Sequence, residues 1–267
     1  MIIAAVLPLA PTHGAPVVVS NHNFEFGQLP DGGVQNNTNG FVWDYNSQST
    51  AGTLRGFYNP TAGHYASAGG AGTPSGADED QVGFLFKTGA TAFQTLSGAD
   101  AILGNADDPV LTAGTQYTLT LAVGNRLAGN PSGNFPFGTL AITLLAGSTV
   151  IAEDATSTGP APGQFVDRSI SVDSSTLSSA LYGQPLSLRF RQMAVADSVA
   201  DIDNVRLYAT AVPEPSSVML WSAGALVLGM CRRRRMGQTA YQALQQTNFI
   251  VTNCAPSSTL RANEVRC

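Results

Sequence analysis

Hydrophobic side chains alternate with polar ones along most of this 267-residue chain, and this two-residue period constrains the fold more than any other feature. Between Val17 and Tyr208 the alternating segments are short and are separated by Gly, Pro, Asn or Asp residues. Successive side chains of a β-strand point to opposite faces, so this pattern is typical of strands joined by turns. A convincing amphipathic-helix period is missing from the same range. The pattern therefore predicts an all-β domain, an antiparallel sandwich or barrel.

The strongest strand signals lie at Gln116–Val123, Thr139–Leu145 and Leu186–Arg191, where apolar residues occupy every second position. Gly147-Ser148 predicts a hairpin turn, because glycine adopts the positive φ that a type II′ turn needs. Ser174–Leu181 is interpreted as either one helical turn or a crossing loop. Further strands are expected at Phe24, Phe41–Tyr45, Leu54–Tyr58, Gln81–Lys87, Phe93–Leu96, Gln164–Val172 and Ile202–Tyr208.

The charge balance excludes nucleic acid as a partner. Charged residues make up 12% of the chain, against roughly a quarter in an average globular protein, which favours a secreted all-β protein. The range 17–211 contains seven basic and sixteen acidic residues, so its surface would repel a phosphate backbone. The three cysteines, Cys231, Cys254 and Cys267, follow this range, so the domain holds neither a disulfide nor a thiolate metal site.

The N-terminal residues 1–15 resemble the end of a secretory signal peptide. Met1–Ala10 is apolar and is followed by small residues, but no Lys or Arg precedes the apolar run, so the signal is incomplete. The alternative is a hydrophobic first strand. The β-sandwich domain is expected to span residues 17–210.

The C-terminal part has three successive features. A Val-Pro-Glu-Pro motif is followed by the apolar stretch Ser216–Cys231 and then by four arginines. As a helix the stretch would be about 24 Å long, somewhat less than the hydrocarbon core of about 30 Å. Snorkelling arginines and modest bilayer thinning can make up this difference. The arginines hold the chain end in the cytoplasm. A single C-terminal transmembrane helix is therefore predicted, and the motif residues are Val212, Pro213, Glu214, Pro215, Arg232, Arg233, Arg234 and Arg235.

This order of features over residues 212–235 resembles the PEP-CTERM sorting signal of Gram-negative bacteria. The resemblance implies processing by an exosortase, a precursor in the inner membrane, and a mature protein at the cell surface or in an exopolysaccharide or biofilm matrix. The alternatives are an ordinary membrane anchor and a buried helix. The polar residues 236–267 are atypical of the family, and they are either a genuine cytoplasmic extension or the product of a frameshift, read-through or misplaced stop codon.

The two ends of the domain carry a second resemblance. Asn23-Phe24-Glu25 and the segment Asp201–Leu207 are similar to the opening and closing strands of galactose-binding-like jelly rolls, which include many carbohydrate-binding modules. Thr115–Leu119 and Gly163–Phe165 resemble strands of PEP-CTERM-associated domains of this type. The resemblance implies adjacent first and last strands and a structural calcium ion held by Asn23, Glu25 and Asp203, with Asp201 as a less certain neighbour. The alternative is that these residues are solvated or make structural hydrogen bonds.

The sequence gives little support to catalysis. His22 and His64 lack the context of a catalytic base, and His64 is expected in a surface loop. The acidic clusters 78–80 and 107–108 are typical of solvated turns. Trp43, Tyr45 and Tyr58 are candidate ligand-binding residues, because exposed rings stack on sugars, although core packing is the alternative.

The predicted function is accordingly that of a non-catalytic, exported envelope or matrix protein with no cofactor other than the structural calcium. The first alternative is a dedicated carbohydrate-binding module that binds envelope polysaccharide, and the second is a secreted hydrolase.

Overall fold

The computed structural model describes residues 14–36, 42–45, 47–51, 53–61, 63–65, 77–127, 135–156, 158–194 and 197–212. Residues 1–13 of the predicted signal peptide, residues 213–235 with the membrane helix, and the polar tail lie outside the described residues. The chain divides into two units, Met1–Val212 and Pro213–Cys267, and all described residues belong to the first. In this described part, no helix is both long and apolar enough for a membrane span.

The described residues form almost only β-structure. Two short 3₁₀ turns, Ser174–Thr176 and Ser179–Leu181, lie between the ninth and tenth strands. The strands seen in the described ranges are β1 (Ala15–Val17), β2 (Val34–Asn36), β3 (Leu54–Tyr58), β4 (Val82–Phe86), β5 (Thr91–Thr95), β6 (Thr115–Asn125), β7 (Thr139–Ala146), β8 (Thr149–Thr156), β9 (Gln164–Asp173), β10 (Leu186–Ala194) and β11 (Val199–Ala211).

The strands form two antiparallel sheets. The larger sheet has the order β2-β3-β4-β11-β6-β9, with β1 also paired to β11, and the smaller sheet has the order β5-β10-β7-β8. The β1–β11 pair, in which Ala15 faces Ala209, makes the first and last strands neighbours. The predicted antiparallel jelly-roll sandwich is confirmed.

The local predictions succeeded where alternation was regular. The hairpin at Gly147 is confirmed, since β7 and β8 flank a glycine with a φ of 58°. The region 174–181 forms two 3₁₀ turns, the first capped by the Asp173 side chain. Phe24 is not in a strand, because its positive φ of 59° places it in a turn. Of the strand predicted at 41–45, Phe41 lies outside the described residues, and in the described part Asp44 forms an isolated bridge with Phe93.

The inner core fills the space between the two sheets. Its side chains come from alternate positions of the strands, as the two-residue period requires. Leu119, Leu121 and Val123 of β6 face Leu188 and Phe190 of β10 across this layer, and all are fully buried. Burial of apolar surface here is the main source of stability.

The opposite, outer face of the larger sheet is divided into two halves. One half, on β6 and β9, is polar and exposed, with hydroxyl pairs such as Thr118–Ser171 and Thr120–Ser169. The other half is buried, and it contains a second apolar group, called here the outer cluster: Tyr58, Tyr65, Val82, Phe84, Ala122 and Phe165.

Candidate functional site

A cleft of about 270 Å³ opens on the outer face of the larger sheet, beside the outer cluster. Most of its walls are aliphatic or aromatic, and one charged side chain reaches it. The residues that line this outer cleft are Val34, Asn36, Leu54, Tyr58, Phe84, Phe86, Arg126, Phe135 and Val199.

The register of β3 and β4 positions the apolar wall of the cleft. Leu54 lies opposite Phe86, and Tyr58 lies opposite Val82. Phe84 and Phe86 are two residues apart on β4 and therefore share its outer face. The Phe86 ring meets the Phe135 ring edge-on, with 4.5 Å between centroids. Edge-to-face pairs of this kind are favourable beyond the area that they bury, so this contact stabilises the wall.

A buried ion pair lies next to this wall. Arg126 follows β6, and its Nε and Nη2 donate to the two carboxylate oxygens of Asp201 on β11, at 2.8 and 2.7 Å. Asp201 is completely buried. The Arg126 guanidinium also lies 4.1 Å from the ring centroid of Tyr58 and 5.7 Å from that of Phe84. Two aromatic rings and a bidentate carboxylate therefore surround this cation.

A glycine makes room for this arrangement. Gly124 of β6 lies opposite Asp201 on one side and opposite Phe165 of β9 on the other. A Cβ atom at position 124 would lie 2.3 Å from the Phe165 ring, so any larger residue would displace that ring. The Phe165 ring in turn packs against Tyr65, with 4.9 Å between centroids.

Two buried phenols complete the polar network. The Tyr65 hydroxyl donates to Asp201, and the Tyr58 hydroxyl is hydrogen-bonded to His64 Nδ1. Burial, together with the neighbouring Asp201 carboxylate, raises the pKa of Tyr65 well above its usual value, and burial raises that of Tyr58. Burial by itself lowers the pKa of Arg126, but the Asp201 carboxylate outweighs it and the pKa is raised. The phenols therefore stay neutral and the guanidinium stays charged.

The predicted aromatic ligand-binding residues have different positions. Trp43 is in the inner core, 5.4 Å from Phe24 and 5.5 Å from Phe190 by ring centroids, and it is 1% exposed. Tyr45 is also fully buried, edge-on to Phe57. Neither ring has an exposed face for a sugar, because both point between the sheets. Tyr58 lines the outer cleft.

His64 is buried at 6% exposure, so the expected surface-loop position is wrong. The His64 N–H donates to the carbonyl of Thr61, three residues earlier, as in a turn. This turn places His64 and the following Tyr65 over the outer face of the larger sheet.

The residues predicted to bind calcium lie beside the segment 78–81. Asp203 Oδ2 accepts from the Asp78 N–H at 2.6 Å, and Glu25 Oε1 accepts from the N–H groups of Asp80 and Gln81. Burial, with a further contribution from the Asp78 and Glu25 carboxylates, raises the pKa of Asp203 to about 8. Asn23 is half-buried in the preceding turn. Within the described ranges, no three or more His, Cys, Asp or Glu side chains form a metal-binding group.

The sequence reasoning missed Arg126, Phe84 and Phe86 as site residues. A signal for the two phenylalanines exists, since Val82–Phe86 is apolar at four of five positions and so predicts burial on both faces. For Arg126 there is no comparable signal. A single arginine after a strand is most often solvated, and Asp201, its partner, is 75 residues away.

Comparison with known protein families gives two matches. Residues 15–208 match the HpiC1-like family, described as HpiC1 cyclase. Residues 211–235 match the PEP-CTERM protein-sorting motif, which confirms the predicted signal. No curated protein sequence matches the chain.

Solved structures of similar fold include cyclases from Fischerella. A Stig cyclase, Fisc, from Fischerella sp. TAU in complex with (3Z)-3-(1-methyl-2-pyrrolidinylidene)-3H-indole is 23% identical, with a TM-score of 0.58 over 74% of this chain and 99% of that chain. A Fischerella sp. TAU cyclase in complex with 4-(1H-indol-3-yl)butan-2-one is 24% identical, with a TM-score of 0.57 over 75% and 100%. An apo cyclase from Fischerella sp. is 23% identical, with a TM-score of 0.59 over 76% and 99%.

The two family matches occupy successive parts of the chain. The sorting motif shows that the protein is exported, that its precursor is anchored in the membrane, and that exosortase-type machinery processes it. The matched domain covers well over half of the sequence. The protein belongs to the HpiC1-like cyclase family.

Proposed function

We propose that this protein is a non-catalytic component of the cell envelope or extracellular matrix that binds a small ring compound in the outer cleft. The observation that carries this proposal is the aromatic wall formed by Tyr58, Phe84 and Phe86 along a concave space of about 270 Å³. Small-molecule sites are typically concave and mostly apolar, with few polar groups. Aromatic walls favour flat or ring-shaped ligands.

Binding is favoured over catalysis because the polar groups beside the cleft are either engaged with one another or held protonated. Both oxygens of Asp201 accept from Arg126, so they are already engaged within the protein. The raised pKa values of Tyr58 and Tyr65 keep these phenols protonated at neutral pH. A general acid or base works best with a pKa near the operating pH. Of these groups only Tyr58 lines the cleft, and its raised pKa makes it better suited to holding a ligand than to exchanging protons with it.

The first experiment measures binding of 4-(1H-indol-3-yl)butan-2-one, the ligand bound to one of the Fischerella cyclases. The purified full chain is titrated by calorimetry. Phe86→Ala removes one wall of the cleft, and we expect it to weaken binding about tenfold or more. The matched control is Phe26→Ala, since Phe26 is 63% exposed and lies outside the cleft. Equal effects of both substitutions, or no binding to the unmodified protein, would contradict the proposal.

A second candidate function is cyclase-type catalysis. Family membership favours it, and so does the buried hydrogen bond from Tyr65 to Asp201 beside the cleft. Cyclisation is an isomerisation, so it would convert an unsaturated indole compound to a product of unchanged mass and different retention time. Such a product, if it disappears with Asp201→Asn, would replace the binding proposal.

Envelope polysaccharide is the alternative ligand class, because sugar rings also stack on aromatic side chains. An array of envelope polysaccharides tests it. A dedicated carbohydrate-binding module would retain one glycan and lose it with Phe86→Ala but not with Phe26→Ala. Retention of no glycan would leave the small ring compound as the proposed ligand.

Processing at the sorting motif is tested separately. Replacement of Pro213-Glu214-Pro215 by three alanines is expected to leave the precursor in the inner membrane, because the extended motif is then lost. Mass spectrometry of the mature protein from its native envelope measures both termini. An unchanged mature mass and location would argue against cleavage at this motif.

A structural calcium ion at Asn23, Glu25 and Asp203 remains part of the proposal. Glu25 and Asp203 are close enough for one to raise the pKa of the other, and a hard cation would relieve this repulsion. Backbone carbonyls or water would have to complete the ligand set. Calorimetric titration with calcium tests this, and an absence of binding at millimolar concentration would remove calcium from the proposal.

A further inference from the structure

Arg126 is the one charged residue among the side chains that line the outer cleft in the described structure. Its side chain is 13% exposed, so only a small part of it faces the cleft. An unpaired guanidinium at the end of an aromatic cleft would select ligands that carry a carboxylate or a phosphate. The surroundings of Arg126 therefore decide which charge a ligand can have.

The positive charge of Arg126 is compensated from within the protein. Asp201 binds the guanidinium edge through two hydrogen bonds, and the Asp201 side chain is fully buried. The rings of Tyr58 and Phe84 lie near the same guanidinium, at 4.1 and 5.7 Å. The cation thus has a bidentate anionic partner and aromatic neighbours without any ligand. The pair carries no net charge.

A ligand carboxylate would gain little in such a cleft. It would lose its hydration on entering an apolar space and would have to compete with Asp201 for the guanidinium. A neutral ligand of the same shape avoids both costs. We infer that Asp201 determines the ligand class of the outer cleft, restricting it to neutral ring compounds by compensating the charge of Arg126. This inference rests on the proposed binding function.

The test compares two ligands of nearly the same shape that differ in charge, 4-(1H-indol-3-yl)butan-2-one and indole-3-propionate. Both carry a two-carbon chain on the indole ring, and the chain ends in a methyl ketone in one and in a carboxylate in the other. Calorimetry with the unmodified full chain is expected to show a preference for the ketone of about tenfold or more. Asp201→Asn leaves Arg126 uncompensated, and the preference is expected to decrease or reverse.

The control for this substitution is Asp167→Asn. Asp167 forms an exposed ion pair with Arg206 on the polar half of the same face, and the chemical change is the same. This variant is expected to keep the ligand preference of the unmodified protein. A second variant, Arg126→Gln/Asp201→Asn, removes both charges and is also expected to keep the preference for the ketone. If the buried, unpaired Arg126 prevents the single variant from folding, this double variant is compared with the unmodified protein instead.

Failure of the inference is distinguishable from failure of the proposed function. If neither ligand binds the unmodified protein, the binding function itself is contradicted. If indole-3-propionate binds the unmodified protein as tightly as the ketone, the function stands and the inference is overturned. An unchanged preference in folded Asp201→Asn, or a preference for the carboxylate in the double variant, also overturns it.

Discussion

The larger sheet is buried on both faces around β4, but the two buried regions differ in chemistry. The inner core packs apolar side chains such as Leu85 and Ile202 against the smaller sheet. The outer cluster packs aromatic rings around a buried ion pair and two buried phenols. Apolar packing stabilises a fold directly, whereas buried ion pairs are often no more stable than well-packed apolar residues. The inner region is thus built for stability, and the outer region is where ligand recognition is proposed.

The largest expected effect is the loss of stability when a large side chain is removed from the inner core. Trp43→Ala should lower the free energy of unfolding by about 3–5 kcal/mol, because it leaves a cavity between the sheets. Urea unfolding followed by circular dichroism measures this. Val150→Ala, at a 44% exposed position of β8, is the control and should change stability little. A loss below about 1 kcal/mol for Trp43→Ala would contradict its place in the inner core.

The next effect tests the buried ion pair. Arg126→Met should lower the free energy of unfolding by about 3 kcal/mol, because the fully buried Asp201 then lacks its compensating charge. Arg126→Met/Asp201→Asn should recover much of this loss, since no charge remains unpaired. A double-mutant cycle based on urea unfolding gives the coupling between the two residues. Additive effects would mean that the pair is not coupled, and the contrast between the two regions would weaken.

The third prediction concerns pH and Asp203. Its pKa rises from 3.8 to about 8 on folding, mainly through burial and also through Asp78 and Glu25. The folded state therefore holds a proton that the unfolded state releases above pH 4. The stabilisation that this proton provides is complete below pH 4 and is lost as the pH rises through 8. Over this range the free energy of unfolding falls by up to about 1.4 kcal/mol per pH unit.

Urea unfolding at pH 5 and pH 8 measures this dependence. Asp203→Asn should reduce the difference between the two pH values, and a smaller slope of the same sign should remain because the pKa of Glu25 is also raised by burial. Millimolar calcium should reduce the difference in the unmodified protein, since the cation stabilises both carboxylates. The opposite result would be a protein that becomes more stable from pH 5 to pH 8 and loses this increase with Asp203→Asn. That result would contradict a raised pKa of Asp203.

The smallest effect is expected on the exposed half of the outer face. Asp167→Asn breaks the pair with Arg206, but the Asp167 side chain is 55% exposed. Such pairs contribute about 0–1 kcal/mol, and less at high salt. Unfolding at low and high ionic strength measures the change. A loss comparable to that of Arg126→Met would mean that burial does not separate the two halves of this face.

The sequence by itself determined the class of fold and the route of export. Regular alternation in β6, β7 and β10 specifies which side chains face the inner core, because the pleat has the same period. Gly147 defines the hairpin between β7 and β8 by its backbone conformation. The order of Pro-Glu-Pro, apolar stretch and arginines identifies sorting locally, and no tertiary contact is needed to recognise it.

Only the tertiary structure decided where the candidate site lies. Alternation assigns residues to two faces of a strand, but it does not say which face a distant segment will cover. His64 and Tyr65 cover the outer face near β4, where Tyr58 lines a cleft. Trp43 and Tyr45 fill the inner core on the other side of the sheet. Arg126 and Asp201 meet because β6 and β11 are neighbours in the sheet. Pairing of strands so distant in the chain depends on the packing of the whole sandwich, which a local pattern does not contain.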